Sequence, residues 1–142
     1  MPSRYLICPA CPALNRIPVE RVSQSPRCGK CKTPLTIDPV LEANGKTLEM
    51  AIRSCSIPVV VDFWAPWCGP CRSFAPIFRQ QAENEPARAL YLKVNTEEHP
   101  QAASQFGIQG IPTLIAFSGG QEKIRQSGAM NLTQLQSWLR QV

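Results

Sequence analysis

The stretch 60-VVDFWAPWCGPCRSFAPIF-78 decides the architecture. It begins inside 58-PVVVDFWA-65, a continuous apolar run that reads as a strand buried on both faces. It ends inside a helix expected from about Gly69 to Glu85. There Phe74, Ile77, Phe78 and Gln81 or Ala82 recur at helical spacing, and Pro76 is expected to kink the helix. CGPC lies at the junction, which puts Cys68 at the helix N-terminus. Unpaired N–H groups and the macrodipole favour a thiolate there. A C-x-x-C at a strand-to-helix junction is the pattern of a redox dithiol. The competing readings are a second metal site or two buried structural cysteines. Trp67, Gly69 and Pro70 form a semi-exposed rim where a substrate chain could lie.

Working outward, 39-PVLEA-43 reads as an edge strand, and Asn44 can cap a helix over 46-KTLEMAIRSC-55 with Leu48, Ala51 and Ile52 on one face. Downstream follow a strand at 89-ALYLKVNT-96, a short helix at 98-EHPQAASQF-106 and a strand at 113-TLIAFS-118. The turn Gly119–Gly120 leads to a strand at 122-EKIRQS-127, and the last helix, 132-LTQLQSWLR-140, has Leu132, Leu135, Trp138 and Leu139 on one face. The order βαβαββα implies an α/β domain: a mixed sheet with helices on both faces and a closing antiparallel hairpin. This domain is expected over residues 36–142.

Residues 1–35 read differently. Prolines at 2, 9, 12, 18, 26 and 34 exclude an amphipathic helix, and only 15-NRIPVERV-22 and 35-LTI-37 suggest short strands. So small a piece needs a staple. Cys8, Cys11, Cys28 and Cys31 supply one in the order C-x₂-C-x₁₆-C-x₂-C, with Pro9 and Gly29 suited to tight turns. Two cysteines three apart on a turn aim both sulfurs at one point, and two such turns complete a tetrahedron around Zn²⁺. All four positions are filled, so one closed, structural zinc site per chain is expected. The alternatives are two disulfides or free thiols.

The net charge is +5, and its distribution bears on partners. Residues 1–35 hold six basic residues and one acid, whereas residues 36–142 hold nine of each. The excess therefore surrounds the four cysteines, where it stabilises thiolates. A basic zinc module can also touch nucleic acid. That reading ranks second, because the segment has one aromatic, Tyr5, and no run of Lys and Arg. No apolar stretch approaches a membrane span, and MPSRYLICPAC lacks the apolar region of a signal peptide. A cytoplasmic protein with reduced cysteines is expected. Cys55 reads as a small buried hydrophobe and His99 as a surface residue.

The run 60-VVDFWAPWCGPCRSFAPIF-78 closely resembles the active-site region of thioredoxins, as do 107-GIQGIPTLIAFSGG-120 and 126-QSGA-129. That resemblance covers about residues 36–142. The four-cysteine segment resembles the N-terminal module of the zinc-containing bacterial thioredoxins, so the implied architecture is a thioredoxin fold behind a zinc-ribbon-like module. The resemblance implies a protein-disulfide reductase in which Cys68 attacks the substrate and Cys71 resolves the mixed disulfide. It makes Asp62 the buried acid behind Cys71. The sequence supports this independently, because Asp62 is the one polar residue in 57-IPVVVDFWA-65, where a carboxylate has a raised pKa. It puts Lys93 near Asp62 and makes Pro112 a cis-proline facing CGPC, with Trp67, Gly110, Ile111 and Gly128 as the docking rim. Pro66 departs from the polar residue many thioredoxins carry there. The implied partners are disulfide-containing proteins and a thioredoxin reductase, a flavoprotein using NADPH; no cofactor is bound for catalysis, and a monomer is expected. The rival readings are an oxidase or isomerase, a zinc-module binding protein, and a holdase-like chaperone with redox-regulated activity.

Overall fold

A computed structural model describes residues 3–8, 10–11, 13–35 and 38–142. The chain forms β1 (Ser3–Ile7), β2 (Leu14–Pro18), β3 (Leu41–Glu42), α1 (Gly45–Ser54), β4 (Val59–Trp64), α2 (Gly69–Asn84), β5 (Leu90–Asn95), α3 (Pro100–Gln105), β6 (Thr113–Ser118), β7 (Gln121–Ser127) and α4 (Leu132–Leu139). A five-stranded sheet has the order β3-β5-β4-β6-β7. The central β4 runs parallel to β5 and antiparallel to β6. Those are the mixed sheet and closing hairpin expected from the element order.

Strand alternation sorts the core into two layers. Val59, Val61 and Phe63 of β4 face one side, with Leu48 and Ala51 of α1, Ala102 of α3, and Ile115 and Phe117 of β6. Val60 faces the other, with Phe74, Phe78 and Ala82 of α2, Tyr91 of β5, and Leu135, Trp138 and Leu139 of α4. Full burial of Phe74 and Phe78 contributes about 2–3 kcal/mol each. Asp62 lies two residues from Val60, so it points under α2. Helix α2 runs on through Pro76.

Local signals set the helix ends. The Asn44 side chain accepts from the Thr47 amide at 2.9 Å and starts α1. Asn131 and Gln134 form a reciprocal capping box on α4, satisfying two otherwise unpaired N–H groups.

The N-terminal segment holds more regular structure than its prolines suggest. β1 and β2 pair antiparallel from Ser3↔Pro18 to Ile7↔Leu14, and a short 3₁₀ turn follows at Val19–Arg21. The expected strand over 15–22 thus stops at Pro18, and β1 was not expected at all. Its burial explains it. Leu6 packs with Cys8, Cys28 and Leu35 in a small core of the segment's own. Tyr5 and Ile7 point the other way and join the α1 side of the main core. The Tyr5 hydroxyl bonds the Ser56 hydroxyl and accepts from the Ser56 amide at 3.3 Å. The hairpin is therefore docked onto the larger sheet, not merely tethered to it. Pro9, and Thr36 and Ile37 of the expected strand at 35–37, lie outside the described residues.

Candidate functional site

The CGPC pair sits where β4 meets α2. Cys68 is the N-cap of α2, and its sulfur accepts from the Cys71 amide at 3.2 Å. An N–H that the helix leaves unpaired is thereby aimed at the sulfur. Cys68 and Cys71 are joined as a disulfide, with Cα atoms 5.2 Å apart. Both are buried and cluster with Ala65, against partly buried Trp64 and Ile111. Gly69 and Pro70 are exposed, and Trp67 is 67% exposed, unusual for a large apolar side chain. The Ile111 carbonyl oxygen lies 3.7 Å from the Cys68 sulfur. The sulfur has no proton in the disulfide, so this is a contact rather than a hydrogen bond.

The loop before β6 forms the facing wall. The Ile111–Pro112 peptide is cis. Pro112 is buried, Ile111 half-buried and Gly110 exposed. The Gly128 amide donates to the Pro112 carbonyl at 2.8 Å, and Gly128 has φ +92°, which only glycine adopts without strain. The Thr113 hydroxyl donates to the Gly110 carbonyl at 2.5 Å. These bonds pin the loop at both ends.

Behind α2 lies Asp62, 4% exposed. Its Oδ1 has no hydrogen-bond partner among the described residues. Burial pushes its carboxyl up to about 7, and the Lys93 ammonium opposes that shift. A cavity of about 270 Å³ joins Asp62 to Val40, Ala75, Pro76, Phe78, Arg79 and Lys93. Cys71 precedes Ala75 by one helical turn on the same face of α2. Lys93 stands opposite Asp62 in the parallel β4–β5 ladder. Its ion pair, however, is with Glu42 at 3.6 Å, and its ammonium also lies 5.7 Å from the Trp64 ring centroid.

The second centre is the four-cysteine cluster. The sulfurs of Cys8, Cys11, Cys28 and Cys31 all lie within 4.8 Å of one another, with Cys8–Cys31 and Cys11–Cys28 at 3.5 Å. A tetrahedral zinc tetrathiolate needs sulfurs about 3.8 Å apart. Backbone amides of Ala10 and Cys11 approach the Cys8 sulfur at 3.4 Å, and that of Lys30 approaches Cys28 at 3.4 Å. The donor set and its spacing fit a zinc ion. Cys8 and Cys28 are buried, Cys11 half-buried and Cys31 exposed.

Supporting residues around both centres went unread in the sequence. Asn15 accepts from the Gly29 amide at 2.9 Å and donates to the Ala13 carbonyl at 3.2 Å, while the Thr33 hydroxyl lies 3.1 Å from the Cys31 sulfur. Arg79 lines the Asp62 cavity, and Asp38 and Glu42 line the neighbouring one, which shares Val40 and Lys93 with it. Only Asp38 carried a local signal: an Asp two residues before a free amide makes a turn of its own. Cys55 is half-buried at the end of α1, where burial pushes its thiol pKa up. His99 is half-buried at the start of α3.

A dithiol that closes across the first turn of a helix, rimmed by an exposed tryptophan and faced by a pinned loop, defines a dithiol–disulfide oxidoreductase. Comparison with known proteins narrows the class. Residues 39–141 match the thioredoxin family, and residues 7–33 match the zinc-ribbon family described as Thioredoxin 2, N-terminal. Thioredoxin C-3 of Corynebacterium nephridii is 37% identical over 136 residues, covering 96% of this chain and 93% of that protein. Thioredoxin 1 of Nostoc sp. is 44% identical over 98 residues, covering 69% of this chain and 92% of that protein. The crystal structure of the Malassezia sympodialis thioredoxin superposes with a TM-score of 0.66 at 30% identity, covering 72% of this chain and 89% of that one. The chain belongs to the thioredoxin family, and its fold is a thioredoxin fold preceded by a zinc-ribbon module.

Proposed function

We propose that the protein reduces disulfides of other proteins, with Cys68 as the attacking thiol and Cys71 as the resolving one. The observation that carries this order is the Cys68 sulfur at the α2 N-cap, met by the Cys71 amide and adjoining the exposed rim. In the reduced enzyme the Cys68 thiolate attacks one substrate sulfur. A Cys68–substrate disulfide forms, and the other substrate sulfur leaves as a thiolate and takes a proton. Cys71 then loses its proton and attacks Cys68. The substrate's second thiolate is released and the Cys68–Cys71 disulfide closes, so two electrons have passed to the substrate. Asp62 accepts the Cys71 proton through the cavity under Ala75, and its carboxyl near 7 suits that exchange at neutral pH. Lys93 tunes Asp62 by charge. Trp67, Gly69, Pro70, Gly110, Ile111, Pro112 and Gly128 form the surface on which an extended substrate segment lies.

The oxidised pair returns to the dithiol through an external thioredoxin reductase, a flavoprotein drawing on NADPH. We assign residues 1–35 to a module holding one structural zinc ion on Cys8, Cys11, Cys28 and Cys31, and residues 36–142 to the catalytic domain. When bound, the ion cross-links the two cysteine turns. The protein works as a cytoplasmic monomer. No helix among the described residues is long and apolar enough to cross a membrane. The test is reduction of a model protein disulfide with zinc measured on the same sample. If wild type and Cys68→Ser reduce it equally slowly, the enzyme reading fails.

A further inference from the structure

Residues 38–40 lead from the four-cysteine module into β3 and are held from two sides and by a turn of their own. Arg4 of β1 donates to the Asp38 carbonyl at 2.6 Å. Arg79 of α2 reaches both oxygens of the Asp38 carboxylate, at 3.0 and 3.1 Å. The Val40 amide donates to Asp38 Oδ1 at 3.0 Å. Val40 is buried against the α2 layer and lines two cavities. One is the 270 Å³ cavity at Asp62. The other, about 510 Å³, lies beneath the module between Ile7, Cys8 and Ala10 on one side and Asp38, Glu42 and Lys93 on the other. Val40 and Lys93 are the residues common to both.

The Asp38–Arg79 pair is half-exposed, so as an ion pair it contributes little to stability. Its effect is geometric. Fixing Asp38 fixes Val40, which lines both the Asp62 cavity and the space under the module. We propose that Asp38 is a positioning residue of the reductase site: gripped by Arg4 from the module and by Arg79 from α2, it sets the Val40 wall and so the access of water to Asp62. This rests on Asp62 serving Cys71 as proton acceptor. It links the four-cysteine module mechanically to the acid–base step, by way of β1.

Charge and wall act with opposite sign, which makes the idea testable. The charged groups lining the Asp62 cavity are Lys93 from β5 and Arg79 from α2; Asp38 and Glu42, from the segment entering β3 and from β3 itself, line the neighbouring cavity, and the β6 neighbour, Leu114, carries no charge. Removing a cation from this set raises a carboxyl pKa, whereas admitting water to a buried carboxylate lowers it. The experiment is a ¹³C NMR titration of the Asp62 carboxyl in the full-length, zinc-loaded protein. Arg4→Leu is expected to lower the midpoint by about half a unit, roughly a threefold change in protonation ratio at fixed pH. Arg79→Lys, which keeps a cation there but not the guanidinium on Asp38, moves it the same way and serves if Arg4→Leu does not fold. A midpoint that stays or rises in the folded variants overturns the inference. The pH profile of Asp62→Asn tests the proton role separately. If it matches wild type, that role fails, while the NMR midpoint still decides whether Asp38 sets the wall.

Discussion

Lys93 faces Asp62 across the β4–β5 ladder yet gives its ion pair to Glu42, its register partner on β3. Asp62 is thus left with a cation nearby but no direct bond, and desolvation decides its protonation. The folded carboxyl, at about 7, lies above its ordinary 3.8. Between those values the folded chain keeps a proton that the unfolded chain releases. The stability contributed by protonated Asp62 is full below about pH 4 and is lost as pH rises through about 7. Asp62→Asn should therefore be more stable than wild type at pH 8.5, by on the order of a few kcal/mol, and close to it at pH 4. Urea unfolding at the two pH values checks this. The same variant should slow resolution by Cys71.

The order of attack predicts different fates for the two thiols. Cys71→Ser should accumulate a covalent Cys68–substrate disulfide, visible on non-reducing gels and in intact mass. Cys68→Ser should form none and reduce substrate at background rate. Equal trapping by both variants would refute the assignment.

Docking of β1 predicts that metal removal is felt beyond the module. With a chelator, residues 1–35 should become sensitive to protease, and the thermal midpoint of the sheet should fall as Tyr5 and Ile7 leave the main core. Tyr5→Ala should reproduce the second effect with zinc still bound, costing about 3 kcal/mol. Calorimetry on both samples separates the two contributions.

Asn15 joins the two cysteine turns through Gly29 and Ala13. Residues that orient ligands typically contribute about 10- to 100-fold in metal affinity. Asn15→Leu should lose zinc to a competing chelator in that range and dim the thiolate-to-metal bands of the cobalt-substituted protein. Reduction of substrate disulfides should stay near wild type.

The catalytic domain was legible because its signals are local. The apolar run 58–65, the CGPC junction and the Asn44 cap each lie within a few residues of what they determine. β1 was not legible, because Ser3–Ile7 becomes a strand only by pairing with β2 and burying Tyr5 against residues far along the chain. The Arg4–Asp38–Arg79 grip spans 34 and 41 residues, beyond any periodicity. Lys93 was placed near Asp62 by resemblance, but its partner, Glu42, follows from strand register and not from sequence spacing.

The docked hairpin also has a consequence for synthesis. Tyr5 emerges from the ribosome 110 residues before Ile115, which belongs to the same buried cluster. Early in translation the four thiols are already available to metal while β6, which completes the cluster that covers Tyr5 and Ile7, does not exist. Capture of the ion would then fix the hairpin early, and the growing sheet would close on a partner already shaped to receive it.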